Sequence, residues 1–106
     1  MVTYEEFRKI ELKIATIKDV QPHPNADKLY VVTIDIGGAT KQIVAGIRPF
    51  YAEDVLKGRQ VVVVDNLEPA VIRGVESQGM LLAASDEQGI SVVSPDRRVQ
   101  EGSIVK

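Results

Sequence analysis

Ser77 lies in Gly74-Val75-Glu76-Ser77-Gln78-Gly79, a stretch that invites comparison with the nucleophile elbow of serine hydrolases. That elbow needs Gly-x-Ser-x-Gly, which places the serine on top of a sharp strand-to-helix turn, and here one residue too many precedes the serine. The match fails on geometry, and a hydroxyl that ties down a loop backbone is the better reading of Ser77. Any histidine-based mechanism must pass through His23, the single histidine. His23 and Asp27 supply at most two metal ligands, whereas a closed site takes four and an open catalytic site three. A loop histidine making a local hydrogen bond is the simpler reading. Cysteine is absent, so disulfides, thiolate metal sites and cysteine nucleophiles are excluded. Gly37-Gly38 with Lys41 lacks the second glycine and the Lys-Ser/Thr pair of a phosphate loop and reads as a hairpin turn. Glu5-Glu6 and Glu53-Asp54 fall in the first turns of expected helices, where carboxylates meet the positive end of the helix dipole. No catalytic constellation emerges. The chain is expected to be no enzyme and to use neither cofactor nor metal.

The elements that must position these residues belong to one domain. A chain of 106 residues builds one hydrophobic core, not two, and 44% apolar with 26% charged residues is the composition of a folded globular protein. The formal net charge of −2 argues against coating nucleic acid through bulk positive charge, so any such site must be local. The polar, acidic start, Met1-Val2-Thr3-Tyr4-Glu5-Glu6, does not look like a secretory signal. No apolar run approaches the roughly 20 residues of a membrane span. A cytoplasmic protein without membrane contact is expected.

Beta-formers dominate, as in Val61-Val62-Val63-Val64, and only five residues are aromatic. Thr3 and Glu6 have capping-box spacing, which predicts a helix over residues 4–9. Ile10, Leu12 and Ile14 alternate with charged residues, and the phase then slips toward Ile17 and Val20. That slip predicts a β-bulge near Ala15 and Thr16 in a long curved strand. The proline-rich residues 21–27 form a loop, followed by strands over 29–36 and 41–45 joined through Gly37-Gly38. Pro49 and Gly58 bracket a short helix over 49–57. Strands over 59–65 and 79–85 follow, with a loop between them. Three strands, a helix and two strands match an all-β, five-stranded Greek-key barrel of the OB-fold type. The core is expected over residues 1–88 and a C-terminal extension over 89–106.

His23-Pro24-Asn25-Ala26-Asp27-Lys28-Leu29, Ala45-Gly46-Ile47, Asn66-Leu67 and the run from Arg73-Gly74-Val75 through Ser77-Gln78-Gly79-Met80 to Ala84 resemble the tRNA-binding domain family. Its members include free-standing structure-specific tRNA-binding proteins, C-terminal domains of many methionyl-tRNA synthetases, and endothelial monocyte-activating polypeptide. The resemblance runs from Phe7 to Ile104 in the right order and spacing. It implies an OB-fold, a homodimer built with help from the C-terminal extension, and tRNA contacts from Asn25, Lys28, Asn66, Arg73, Ser77 and Met80. Lys28 and Arg73 suit phosphates, whereas Asn25, Asn66 and Ser77 suit phosphate oxygens and 2′-hydroxyls. Met80 either lies against a ribose or base or packs in the core. With few aromatics for stacking, recognition is expected to follow the folded shape of tRNA rather than its sequence.

Two departures from the family pattern stand out. Glu68, Ala70 and Val71 occupy positions where many members are basic, and Ala15 stands where glycine is common. Arg8, Lys9, Lys13, Lys18 and Lys41 are candidates to enlarge a basic face, and of these five only Lys13 and Lys41 are set apart from ordinary solvated charges. The expected function is a shape-directed tRNA-binding module. It would act as a homodimer in trans or as an appended domain of an aminoacyl-tRNA synthetase, methionyl in the first instance. The alternative is a protein-binding, chaperone-like dimer on the same fold.

Overall fold

Thr3 starts the first helix as its spacing requires. Its Oγ1 accepts from the Glu6 N–H at 3.1 Å while Glu6 Oε1 accepts from the Thr3 N–H at 3.2 Å. In the computed structural model, which describes residues 1–106, this helix, α1, spans only Tyr4–Phe7. Lys9 and Ile10 donate to carbonyls three residues back, so the expected last turn tightens out of α-geometry. No residue of α1 is buried.

The long curved strand is β1 (Leu12–Pro22). Its bulge lies between Ile17 and Asp19, not at Ala15 and Thr16. Residues 14–17 are all buried, because this half of the strand is covered on both faces, so hydrophobicity loses its alternation there. The change of phase falls two residues past Thr16, at Lys18. β2 (Tyr30–Asp35) and β3 (Thr40–Ala45) form the expected hairpin. Gly37 and Gly38 take φ of 89° and 83° at its tip, and Ile36 donates to the Ala39 carbonyl.

The second helix, α2, is Glu53–Leu56 rather than 49–57. Phe50 and Tyr51 close a separate turn onto the Ile47 carbonyl, and extended Ala52 intervenes before the helix begins. Leu56 fully buries itself in the core. β4 (Gln60–Val64) is buried at every position, with Val61 and Val63 in the main core cluster. Val62 lies instead beside Ile14, Val93 and Val99 on the outer face.

The segment read as a loop after residue 65 contains a small hairpin, β5 (Ala70–Ile72) with β6 (Val75–Ser77). The strand expected over 79–85 divides at Leu82, where the chain changes partner. β7 (Met80–Leu81) pairs with β4, whereas β8 (Ala83–Asp86) pairs with β9 (Gly89–Val92). The expected boundary between residues 88 and 89 falls in the turn of this second hairpin, and Val92 beyond it packs in the core.

The main sheet runs β3-β2-β1-β4-β7, all antiparallel, with β10 (Ile104–Val105) beside the start of β1. This is the five-stranded Greek-key barrel expected of an OB-fold. Side chains complete its last seam, between β3 and residues 76–79. Gln78 N–H donates to the Gln42 carbonyl, Gln42 N–H to Gln78 Oε1, and Gln42 Nε2 to the Glu76 carbonyl, at 2.8 to 3.0 Å. The extension is fastened by the same device: Gln60 donates to the Val99 carbonyl and accepts from its N–H. No helix is long and apolar enough to cross a membrane.

Candidate nucleic-acid interface

His23 is buried at the end of β1 and ties two distant loops together. Its Nε2–H donates to the Ile72 carbonyl at 2.9 Å, and Nδ1 accepts from the Asn25 N–H at 2.9 Å, which requires the neutral ring with its proton on Nε2. Asn25 Nδ2 donates to the Arg73 carbonyl at 3.1 Å, and Arg73 Nη2 returns a bond to the Asn25 carbonyl at 3.0 Å. Arg48 holds the same loop from another side through the Ala26 carbonyl. Arg73 and Gly74 form the two-residue turn of the β5–β6 hairpin with φ of 52° and 90°, the type I′ pattern. Two segments nearly fifty residues apart in sequence are thus joined where Asn25 and Arg73 meet, and Lys28 is exposed in the same loop as Asn25.

The other residues singled out from sequence have different surroundings. Asn66 is exposed, yet its amide is engaged: Oδ1 accepts from the Glu11 N–H at 2.8 Å and Nδ2 donates to the Lys9 carbonyl at 2.7 Å. It thereby fastens the chain ahead of β1 to the loop after β4. Ser77 is buried, accepting from the Val44 N–H and donating to the Gly79 carbonyl, both at 2.9 Å. The hydroxyl replaces a ladder bond where β3 meets the end of β6. Met80 is a surface residue, 47% exposed, not a core methionine. With Leu67 it borders an open, mostly apolar groove of about 570 Å³ between the end of β3 and β7.

The lysines set apart from the rest are spent inside the molecule. Asp65 receives Lys13 Nζ at 2.7 Å and Lys41 Nζ at 2.6 Å, and Lys41 also donates to the Asp65 carbonyl. Burial pushes the Asp65 carboxyl up, but the hydrogen bonds and charges of the two lysines together outweigh it and hold the group below its ordinary value. Two weaker pairs, Lys18–Glu101 and Lys57–Asp19, complete the ion pairs of the chain. All four employ lysine; none of the six arginines has a carboxylate partner. Sequence reasoning missed the apolar groove, the Arg48 brace and this division between lysine and arginine. The groove has no local signature, since its walls come from segments scattered between residues 44 and 90.

A family model described as a tRNA binding domain matches residues 12–104. The chain belongs to the tRNA-binding domain family. Its relatives in that family include the methionine–tRNA ligase of Pyrococcus furiosus, 52% identical over 105 residues, and that of Thermococcus onnurineus, 49% identical over the same length. Each alignment covers 99% of this chain and only 14% of the ligase. Among solved structures, a MetRS-related protein of Pyrococcus horikoshii superimposes with a TM-score of 0.92 at 31% identity, covering 100% of this chain and 98% of that one. The CsaA chaperone of Picrophilus torridus superimposes at 0.94 and 28% identity over the whole of both chains. The tRNA-binding domain fold is therefore common to proteins named for different tasks.

Proposed function

We propose that this chain is a non-catalytic tRNA-binding module of the cytoplasm that recognises folded tRNA by shape. It acts as a homodimer and serves a methionyl-tRNA synthetase, in trans or as its C-terminal domain. Membership of the tRNA-binding domain family over residues 12–104 carries this reading. Arg73 is oriented by its bond to Asn25 and has no acidic partner, and Lys28 is exposed in the loop that carries Asn25 and is likewise unpaired, so both cations are free for phosphates. Met80 and the apolar groove offer a place for a ribose or an unpaired base. Asn66 and Ser77 act one step removed, by fixing the loops that carry the contacts. Tethering such a module to a synthetase raises the effective tRNA concentration without new contacts at the catalytic centre.

Self-association is supported by the surface around α1 and β10. Tyr4, Phe7, Ile10 and Ile104 are exposed there, and the last is 75% accessible. With Leu12 and Val105 they line a hollow of about 400 Å³, an apolar surface suited to a second copy.

Gel-shift titration of folded and heat-unfolded tRNA tests shape recognition. Folded tRNA is expected to bind more tightly, and equal affinity for both removes that claim. Arg73→Asn keeps a residue suited to positive φ while deleting the charge, and Lys28→Gln deletes the other. Each is expected to reduce the slope of log K against log salt by roughly 0.9. An unchanged slope takes that residue out of the interface. The apolar groove also favours a second reading, a chaperone-like module that holds extended peptides. Saturable binding of an apolar peptide with no tRNA binding at low salt would select it.

A further inference from the structure

We infer that Arg59, Arg97 and Arg98 form a second contact for the sugar-phosphate backbone of tRNA, where the C-terminal extension crosses the start of β4. The inference rests on the tRNA-binding reading above and extends it to a surface outside the Asn25–Arg73 clasp.

Acidic residues outnumber basic ones 15 to 13 in this chain, so a surface cation has carboxylates available to it. Lysines take them, in all four ion pairs, yet three of the six unpaired arginines converge on one open polar hollow of about 330 Å³. Their placement is fixed by the fold. Gln60 clamps both backbone groups of Val99 and so holds residues 97–98 against the beginning of β4. Arg98 Nη1 donates to the Gly58 carbonyl at 3.1 Å, and the Arg59 guanidinium lies 5.7 Å from the centre of the Tyr51 ring, within cation–π range. Arg97 makes one bond, to the neighbouring Arg98 carbonyl. Each guanidinium keeps N–H donors that the protein does not use, since an arginine carries five.

The opposing charges nearby are few. Asp96, which is exposed, is the one carboxylate in the lining of the hollow. Three cations against one carboxylate leave the lining positive in a chain that is negative overall. Apart from Pro95 the lining of the hollow is polar or charged, and forked guanidinium donors match phosphate oxygens. A single mononucleotide does not explain the layout. Arg59 precedes β4 and the Asn66 loop follows it, and five strand residues separate these ends by about 16 Å. A folded RNA spans that distance.

The test is tRNA affinity measured from low to moderate salt for the full chain and for Arg59→Gln/Arg97→Gln, with Arg98 retained because it braces Gly58. The double variant is expected to melt with the wild type and to lose about 1–2 from the slope of log K against log salt. Arg59→Lys/Arg97→Lys is expected to keep most of that slope. The single Arg97→Gln variant, at an exposed position, is expected to lose about half as much as the pair and covers the case in which the pair folds poorly. Wild-type binding with an unchanged slope in the Gln variants overturns the second contact alone. Failure of the wild type to bind folded tRNA overturns the parent reading as well.

Discussion

Gly102→Ala is expected to destabilise the protein by roughly 2–5 kcal/mol, the sum of left-handed strain in a non-glycine residue and the overpacking a new methyl creates. Gly102 has φ of 84°, and a Cβ there would stand 2.3 Å from the Ile36 carbonyl oxygen. Its counterpart is Gly37, with φ of 89°, where a Cβ would meet the Glu101 carbonyl oxygen at 2.6 Å. The extension thus lies directly on the β2–β3 turn, backbone against backbone. Gly38 supplies the control: its φ is 83° but no atom lies within 4 Å of a built Cβ. Gly38→Ala should therefore cost only the conformational part, roughly 1–2 kcal/mol. Denaturant midpoints measure both. Equal losses for Gly38→Ala and Gly102→Ala would show that the close approach contributes nothing.

Asp65→Asn is expected to cost about 1–3 kcal/mol, because the side chain is only 10% exposed and anchors two lysines. The Asp65 carboxyl is held below its ordinary value in the folded protein, so the unfolded state binds its proton more readily. Its stabilisation is full above the unfolded value of about 3.9 and is lost as pH falls through that value and then through the lower folded one. Lys13 runs the other way. Its hydrogen bond to Asp65 raises it against a smaller desolvation effect, so its share is full below the unfolded value of about 10.4 and is lost as pH rises through the folded one. Asp65→Asn should flatten both limbs of a stability–pH curve. An acid limb as steep as that of the wild type would mean that other carboxylates govern acid unfolding.

Local signals proved readable wherever the partner lies close in sequence. Thr3 and Glu6 cap α1 three residues apart, and Gly37-Gly38 turns between strands that immediately flank it. The order of the main strands also followed from patterning, because β2 alternates buried Tyr30, Val32 and Ile34 with half-buried Val31, Thr33 and Asp35, and β3 begins at exposed Thr40. Patterning failed where a strand is covered on both sides, as at residues 14–17, and where side chains replace ladder bonds. Asn66 reaches Glu11 across 55 positions, Gln60 reaches Val99 across 39, and Ser77 reaches Val44 across 33. No window of sequence contains both members of such a pair. The Arg73-Gly74 turn was hidden differently, since arginine at positive φ is not a usual hairpin residue and Pro69 made the segment look like a loop. For the interface, the residues themselves offered chemistry without location; Asn25 and Arg73 were grouped by family resemblance, and His23 is the physical reason they meet.

The layout of β1 bears on how the protein avoids sticking to itself out of register. One edge of this strand is paired with β4 from Leu12 to Thr16, and the other is occupied first by β10 at Leu12 and Lys13 and then by β2 from Thr16 onward. Between them, the Ile14 N–H donates to the Ser103 carbonyl and its carbonyl accepts from the Gly102 N–H. The first half of the longest strand in the molecule, Leu12–Thr16, therefore offers no bare ladder on which a misfolded chain could template itself. Residues 102–105 are in this sense a guard for the start of β1. A shortened chain would expose it at Lys13 and Ile14, with a single lysine left to discourage pairing.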